Sequence, residues 1–159
     1  MAEYAGTARP PETTVKRHVP DPQSRWSDAG WAYTILRLSF GANIMLHGVS
    51  RLMAGHAAFL AYLNHYFEKA PMVSVSLLPA FARVLPPVET GLGLLLILGL
   101  WTRFALIAGA LVLTMLVIGT NLAQDWNVAG LQLIYAFLYY YLLVHRDRNV
   151  VSIDGIVSR

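Results

Sequence analysis

The sequence predicts an all-α integral membrane protein, a four-helix bundle with an interfacial amphipathic helix between its first and second spans. Three observations lead there. Of the 159 residues, 56% are hydrophobic and 13% charged, whereas soluble domains carry about a quarter charged residues, and the mean hydropathy is +0.49. Apolar stretches recur at close to the roughly 20 residues needed to cross about 30 Å of hydrocarbon. The connections between the later stretches are short enough to force antiparallel hairpins. The chain has no cysteine, which removes disulfides, thiolate metal sites, iron–sulfur ligation and thiol catalysis. Its net charge of +3 comes from residues mainly in the tails, with no basic stripe interleaved with aromatics, so nucleic acid is not an expected partner.

Residues 1–25 contain Pro10, Pro11, Pro20 and Pro22 among charged residues without an apolar period. They read as a disordered or partner-binding tail. The basic residues of this tail are followed by proline and polar residues instead of an apolar run, so the first span is expected to be retained and not cleaved as a leader. A membrane domain over 26–145 and a cytoplasmic C-terminal tail over 146–159 complete the organisation. Span one runs from Trp31 to Ser50, interrupted by Arg37, Asn43 and His47, and span two from Val84 to Trp101, carrying Glu89. Span three, Phe104 to Gln124, is 21 residues without a charge, and span four covers Trp126 to Val144.

In the long connection after span one, Phe59, Leu60, Leu63, Tyr66 and Phe67 fall at helical spacing opposite Asn64, His65, Glu68 and Lys69. That pattern predicts an amphipathic helix ended by Pro71, lying either in the membrane interface or against the outer end of the bundle. Most Lys and Arg fall before span one, at Arg103 and after span four, with Arg51, Lys69 and Arg83 on the other side. This asymmetry puts both termini in the cytoplasm. Trp26, Trp31, Trp101 and Trp126 near the span ends fit interfacial anchoring.

A charge inside a span costs about 2.5–3.5 kcal/mol on insertion scales, so Arg37 and Glu89 need compensating surroundings. On a helical wheel, Tyr33, Arg37, Phe40, Gly41, Ile44, His47, Gly48 and Arg51 share one face of span one. This is the face expected to look into the bundle, with Gly41 and Gly48 admitting a close neighbour. Counting depth along antiparallel spans brings His47, Glu89, Asn121 and Gln132 to the outer half, near Asn43, Tyr135 and Tyr139. These groups either line one hydrogen-bonded cavity, with Glu89 as acid or proton acceptor and His47 as its partner, or hold the bundle together by interhelical hydrogen bonds. Arg37 lies deeper on the cytoplasmic side, with no intramembrane acid at its depth. Its alternatives are to snorkel, to bind a lipid phosphate or a carbonyl, or to pair with a partner subunit. Only His47 of the five histidines lies well inside a span, so bis-histidine haem is not expected. The sequence also has no HExxH, facial triad or P-loop and supports no Ser/His/Asp constellation, so no metal-bound cofactor is expected.

The run LRLSFGANIMLHGVSRL, with Arg37 and the HGxxR step from His47 to Arg51, and the run PPVETGLGLLLILGLWTRFA, with Glu89, Gly91, Gly93, Gly99, Thr102 and Arg103, resemble the DoxX family of four-helix membrane proteins over about residues 30–145. In that family the basic position closing span one is usually lysine. Here it is Arg51, which removes a titratable amine. The resemblance implies a multi-pass protein of the bacterial inner membrane, surrounded by lipid and associated with protein partners in an oxidoreductase complex linked to quinone. It assigns Arg37, His47, Arg51 and Glu89 to a quinone or sulfur-substrate pocket. Glu89 and His47 are then the catalytic candidates, with Arg37, Asn43, Arg51, Asn121, Gln132 and Tyr135 as binding candidates. The competing expectation is an accessory or scaffold subunit without chemistry of its own. A small-solute or proton transporter is the weakest reading, because the chain has no paired broken helices and no clear inverted repeat.

Overall fold

The computed structural model describes residues 27–70 and 72–157, so the expectations for the N-terminal tail and for Pro71 lie outside the described residues. Six α-helices follow in order: α1 (Asp28–Ala54), α2 (His56–Tyr66), α3 (Leu78–Leu98), α4 (Thr102–Leu122), α5 (Trp126–Val144) and the short α6 (Ile153–Val157). Single turns of 3-10 helix at Val75–Leu77 and Arg146–Arg148 precede α3 and follow α5. No strand occurs among the described residues.

Helix α1 extends beyond the Trp31–Ser50 window because both ends carry stop signals further out. The Ser27 hydroxyl accepts from the Gly30 N–H at 3.1 Å, an N-cap with Asp28 in the first turn. At the other end Gly55 takes φ +86°, and its N–H closes onto the Arg51 and Leu52 carbonyls. Helix α3 starts at Leu78, six residues before the expected Val84. Pro79 sits in its first turn, where no N–H is needed, and Pro86 and Pro87 lie inside it. The earlier start moves Glu89 past the midpoint of α3, away from the span end to which the depth count assigned it. Gly99 (φ +62°) ends α3, Trp101 (φ 47°) turns the chain into α4, and the Asp125 carboxylate caps α5 by accepting from the Val128 N–H at 3.1 Å.

Among the described residues, three helices are long and apolar enough to cross a membrane, over Val75–Leu98, Thr102–Leu122 and Trp126–Val144. The expected four spans thus reduce to three on length and composition. Helix α1 has 27 residues and a length of about 40 Å, but Thr34, Arg37, Ser39, Asn43, His47, Ser50 and Arg51 dilute its apolar character. It nevertheless contributes to the main core. Tyr33 and Phe40 of α1 pack with Leu92 and Leu96 of α3, Ala105, Leu106 and Leu113 of α4, and Tyr139 and Leu142 of α5. Helix α2 docks Phe59 and Leu63 on Leu78, Ala82 and Leu85 in the first half of α3, forming a second core.

The α1–α3 pairing is antiparallel and close. A Cβ on Gly41 would lie 2.9 Å from Leu96 Cβ, one on Gly48 2.5 Å from the Pro86 carbonyl oxygen, and one on Gly93 2.4 Å from the Met45 backbone nitrogen. Backbone atoms cannot swing aside as a side-chain tip can, so these glycines set the spacing of the two helices. Gly93→Ala is therefore expected to force α1 and α3 apart and cost about 1–3 kcal/mol, read as a lower thermal midpoint in detergent. Gly91→Ala, whose added Cβ meets nothing within 4 Å, is expected to leave the midpoint unchanged or slightly raised.

Candidate functional site

The face of α1 carrying Tyr33, Arg37, Phe40, Gly41 and Gly48 is buried, as the wheel placed it, while His47 sits exposed at its edge. Between this face and α3, α4 and α5 lies a cavity of about 280 Å³. Phe40, Ile44, Leu92, Val112, Leu113 and Leu116 supply its apolar wall, and Asn43, His47, Arg51, Glu89, Gln132, Tyr135 and Tyr139 its polar one. Six of the eight sequence-derived site residues therefore meet, contributed by three helices.

Two do not. The Asn121 side chain donates to the Val117 carbonyl of its own helix at 2.7 Å and does not line the cavity. Arg37 is 2% exposed and points to the end of α3. Its Nη1 donates to the Leu96 carbonyl and, at 3.0 Å, to that of Ile97, and its Nη2 donates to Val151 at 2.9 Å. The last carbonyls of a helix lack a full set of intrahelical donors, so Arg37 adds a donor to the Leu96 carbonyl, which also accepts from the Gly99 N–H at 3.2 Å, and supplies one to that of Ile97. The carbonyl alternative for Arg37 is the one that the structure displays.

Glu89, 7% exposed, pairs with Arg51, whose Nη1 donates to its Oε2. His47 is the partner expected for Glu89 in the cavity alternative, but the α1–α3 register puts Arg51 opposite it. The Arg51 guanidinium also stands 5.1 Å from the centroid of the Phe59 ring, a cation–π contact contributed by α2. Gln132 Oε1 accepts from the Thr120 hydroxyl at 2.8 Å. Tyr139 meets Phe40 edge-on at 4.6 Å between centroids, in space that Gly109 leaves free, since a Cβ there would come within 2.3 Å of the Tyr139 hydroxyl. The sequence places Phe59 only on the apolar face of the amphipathic helix, and Thr120 and Gly109 carry no site signal of their own. For Gly109, the apolar Gly-containing run of span three was the only available signal.

The C-terminal segment is more than the plain tail expected from sequence. The Asp154 carboxylate accepts from the Trp101 and Thr102 N–H groups at 2.8 Å each, and the Asp154 N–H donates to the Gly99 carbonyl at 2.9 Å. The Asn149 amide donates to the Thr102 hydroxyl at 2.9 Å. Residues far along the chain thus cap the start of α4. Burial opposes ionisation of Asp154, but the hydrogen bonds from Thr102 and Trp101 and the charge of Arg146 outweigh it and hold the carboxyl below its ordinary value. Among the described residues, no group of three or more His, Asp or Glu side chains is placed to hold a metal ion.

A helical bundle with membrane-length apolar helices and a ligand-sized cavity of mixed polarity defines a polytopic membrane protein with an internal site. The chain belongs to the DoxX family, whose model matches residues 32–123. No curated protein and no solved structure matches the chain.

Two outcomes follow from the site. Glu89→Leu leaves Arg51 without its carboxylate and is expected to cost on the order of 2 kcal/mol, less than the 3–5 of a fully buried pair because the Arg51 side chain stays 27% exposed. Adding Arg51→Met is expected to recover most of that loss, which a double-mutant cycle on thermal unfolding reads directly. Because the folded Asp154 has a lowered pKa, its stabilisation is present above the unfolded value of 3.8 and is lost as pH falls through the folded one. Hydrogen exchange at the Trp101 and Thr102 amides is expected to rise over that acid window, and Asp154→Ala to show the same fast exchange at neutral pH.

Proposed function

We propose that this DoxX-family chain is a membrane subunit of a quinone-linked redox complex and that the cavity between α1, α3, α4 and α5 receives the head of a quinone or a similarly sized carbonyl substrate. One observation carries the reading. The Asn43 amide, the His47 ring, the Tyr135 hydroxyl and the Gln132 amide nitrogen line the cavity without a hydrogen-bond partner among the described residues. Next to them lies the buried carboxylate of Glu89. Unpaired polar groups in an apolar bundle are costly, and a ligand with acceptor oxygens turns that cost into binding. Asn43, Gln132 and Tyr135 are donors suited to carbonyl oxygens, and Phe40 and Leu92 offer an apolar surface to a ring.

In this reading a bound quinone supplies the electron acceptor, and the electrons come from a partner subunit. The chain's own residues bind the head, place the Glu89 side chain opposite Arg51 beside it, and connect it to the outside through His47 at the mouth. Helix α1 serves as the fourth span, since its length of about 40 Å exceeds the hydrocarbon thickness and its arginines and Asn43 are turned toward α3 and the cavity. Helix α2 lies at the surface of the bacterial inner membrane opposite the two cytoplasmic termini. Lipid covers the exposed apolar faces of α4 and α5.

A second reading, an accessory subunit without chemistry, rests on the same ion pair. Glu89 already has a partner in Arg51, as a structural carboxylate would. Binding of a tail-less quinone to the purified chain separates the two. The redox reading expects saturable binding that Tyr135→Phe and Asn43→Ala each weaken by about five- to tenfold, the effect of one lost hydrogen bond. No saturable binding, or binding indifferent to both variants, leaves the accessory reading.

A further inference from the structure

A groove of about 440 Å³ runs beneath α2. Its floor is the second core, where Phe59, Leu63, Leu78 and Leu85 are buried. Its rim, by contrast, is apolar and exposed at Tyr62, Met72, Leu77, Met115 and Ile118. A buried apolar floor with an exposed apolar rim opens toward hydrocarbon and not toward water. One end is closed by the Tyr66 hydroxyl, which donates to the Asp125 carboxylate at 2.9 Å. Burial and then that bond raise the Tyr66 pKa, so the phenol stays a donor throughout the physiological range.

The other end runs into the cavity. Arg51, Leu116, Val128 and Gln132 line both spaces, and the Arg51 guanidinium stacked on Phe59 stands at the junction. The two spaces differ in chemistry. The smaller, inner one gathers unpaired hydrogen-bonding groups, and the larger, outer one is lined mainly by aliphatic and aromatic side chains. We propose that they form one bipartite site for a quinone-like membrane amphiphile, whose hydrogen-bond-accepting head sits in the cavity and whose isoprenoid tail lies in the groove beneath α2. The tail leaves the head past Arg51 and Phe59, and the ligand enters sideways from the bilayer over the exposed rim. This rests on the reading of the cavity as a headgroup site, and it adds that the tail contributes affinity through protein contacts and not merely through dissolving in the membrane.

Gly119 provides the test. It lies on the groove and not on the cavity, and a Cβ there would meet only Phe67 ring carbons at 3.5 and 3.9 Å, ordinary van der Waals contacts. Gly119→Phe is expected to occupy the groove, and binding of the tail-less head reports whether the cavity stays formed. Gly130→Phe, at a position where a Cβ meets nothing within 4 Å and which lines neither space, is the control. Binding is measured in one detergent for quinones sharing a head and carrying no tail, a single isoprenoid unit or a longer chain. Comparing wild type with variant at the same tail cancels partitioning into the micelle.

The expected result is equal affinity of wild type and Gly119→Phe for the tail-less head. With the longer tail, the expected result is at least about tenfold tighter binding by wild type and by Gly130→Phe than by Gly119→Phe, since each buried methylene adds to transfer. Equal affinities at every tail length would overturn the groove as tail site while leaving the headgroup reading intact. A native mass spectrum in which wild type retains a phospholipid that Gly119→Phe loses, with no dependence on quinone tail, would likewise overturn it and assign the groove to a lipid acyl chain. Failure of the tail-less head to bind wild type would instead remove the headgroup reading on which the proposal stands.

Discussion

The close antiparallel contact of α1 with α3 governs the rest of the structure. Gly41, Gly48 and Gly93 bring backbone against backbone, and a contact of that kind fixes rotation and translation together. A slip of one residue would turn a helix by about 100° and shift it by about 1.5 Å, moving every side chain off its partner. The register so fixed sets Arg51 against Glu89 at one end of the glycine stripe and Arg37 against the last carbonyls of α3 at the other. Each arginine is satisfied only in that register. The steric contact and the two charge contacts therefore reinforce one another, as a sequence that specifies a single packing requires.

The two arginines also illustrate how an apolar bundle accommodates charge. Arg37 is served by dipoles, the open carbonyls of a helix end together with that of Val151, and it ties the C-terminal segment to the α3–α4 turn. Arg51 is served by a full opposite charge and an aromatic face. Both solutions compensate the charge of the guanidinium, although Arg37 Nε stays buried without a hydrogen-bond partner and Arg51 bonds only through Nη1. The cavity adds Asn43, Tyr135 and Gln132, whose groups line it directly, and these carry the functional reading.

Periodicity and composition made α4 and α5 legible to within about two residues, because uncharged runs of membrane length have few alternatives. The start of α3 was not legible. The expected span already contained Pro86 and Pro87, but the helix begins six residues earlier, where Pro79 fits the first turn because no N–H is needed there. Wheel and depth arguments gathered Asn43, His47, Glu89, Gln132, Tyr135 and Tyr139 at one site, together with Asn121, which lies outside it, and the family resemblance added Arg51. The pairing of Glu89 with Arg51 is set by register and was not legible, and a carbonyl was one of several partners open to Arg37, whose choice among them no local sequence signal makes. The Asp154 cap on α4 was equally hidden, because an N-cap supplied from 52 residues away has none of the local spacing by which caps are read.

The extent of the family match divides the site in a physically meaningful way. Residues 32–123 contain nearly all of α1, together with α2, α3 and α4, hence the glycine stripe, both arginines, Glu89 and the floor of the groove. Helix α5 lies beyond, and from it come Gln132, Tyr135 and Tyr139. The matched part is the part whose residues constrain one another sterically and electrostatically. Helix α5 packs closely on α4, with Gly109 under Tyr139 and Thr120 bonded to Gln132, and meets α1 where Tyr139 packs on Phe40 and the Tyr33 hydroxyl donates to the Leu142 carbonyl. The cavity is thus a composite, with its charged pair supplied by α1 and α3 and the amide and hydroxyl groups of Gln132, Tyr135 and Tyr139 by a helix outside the matched region.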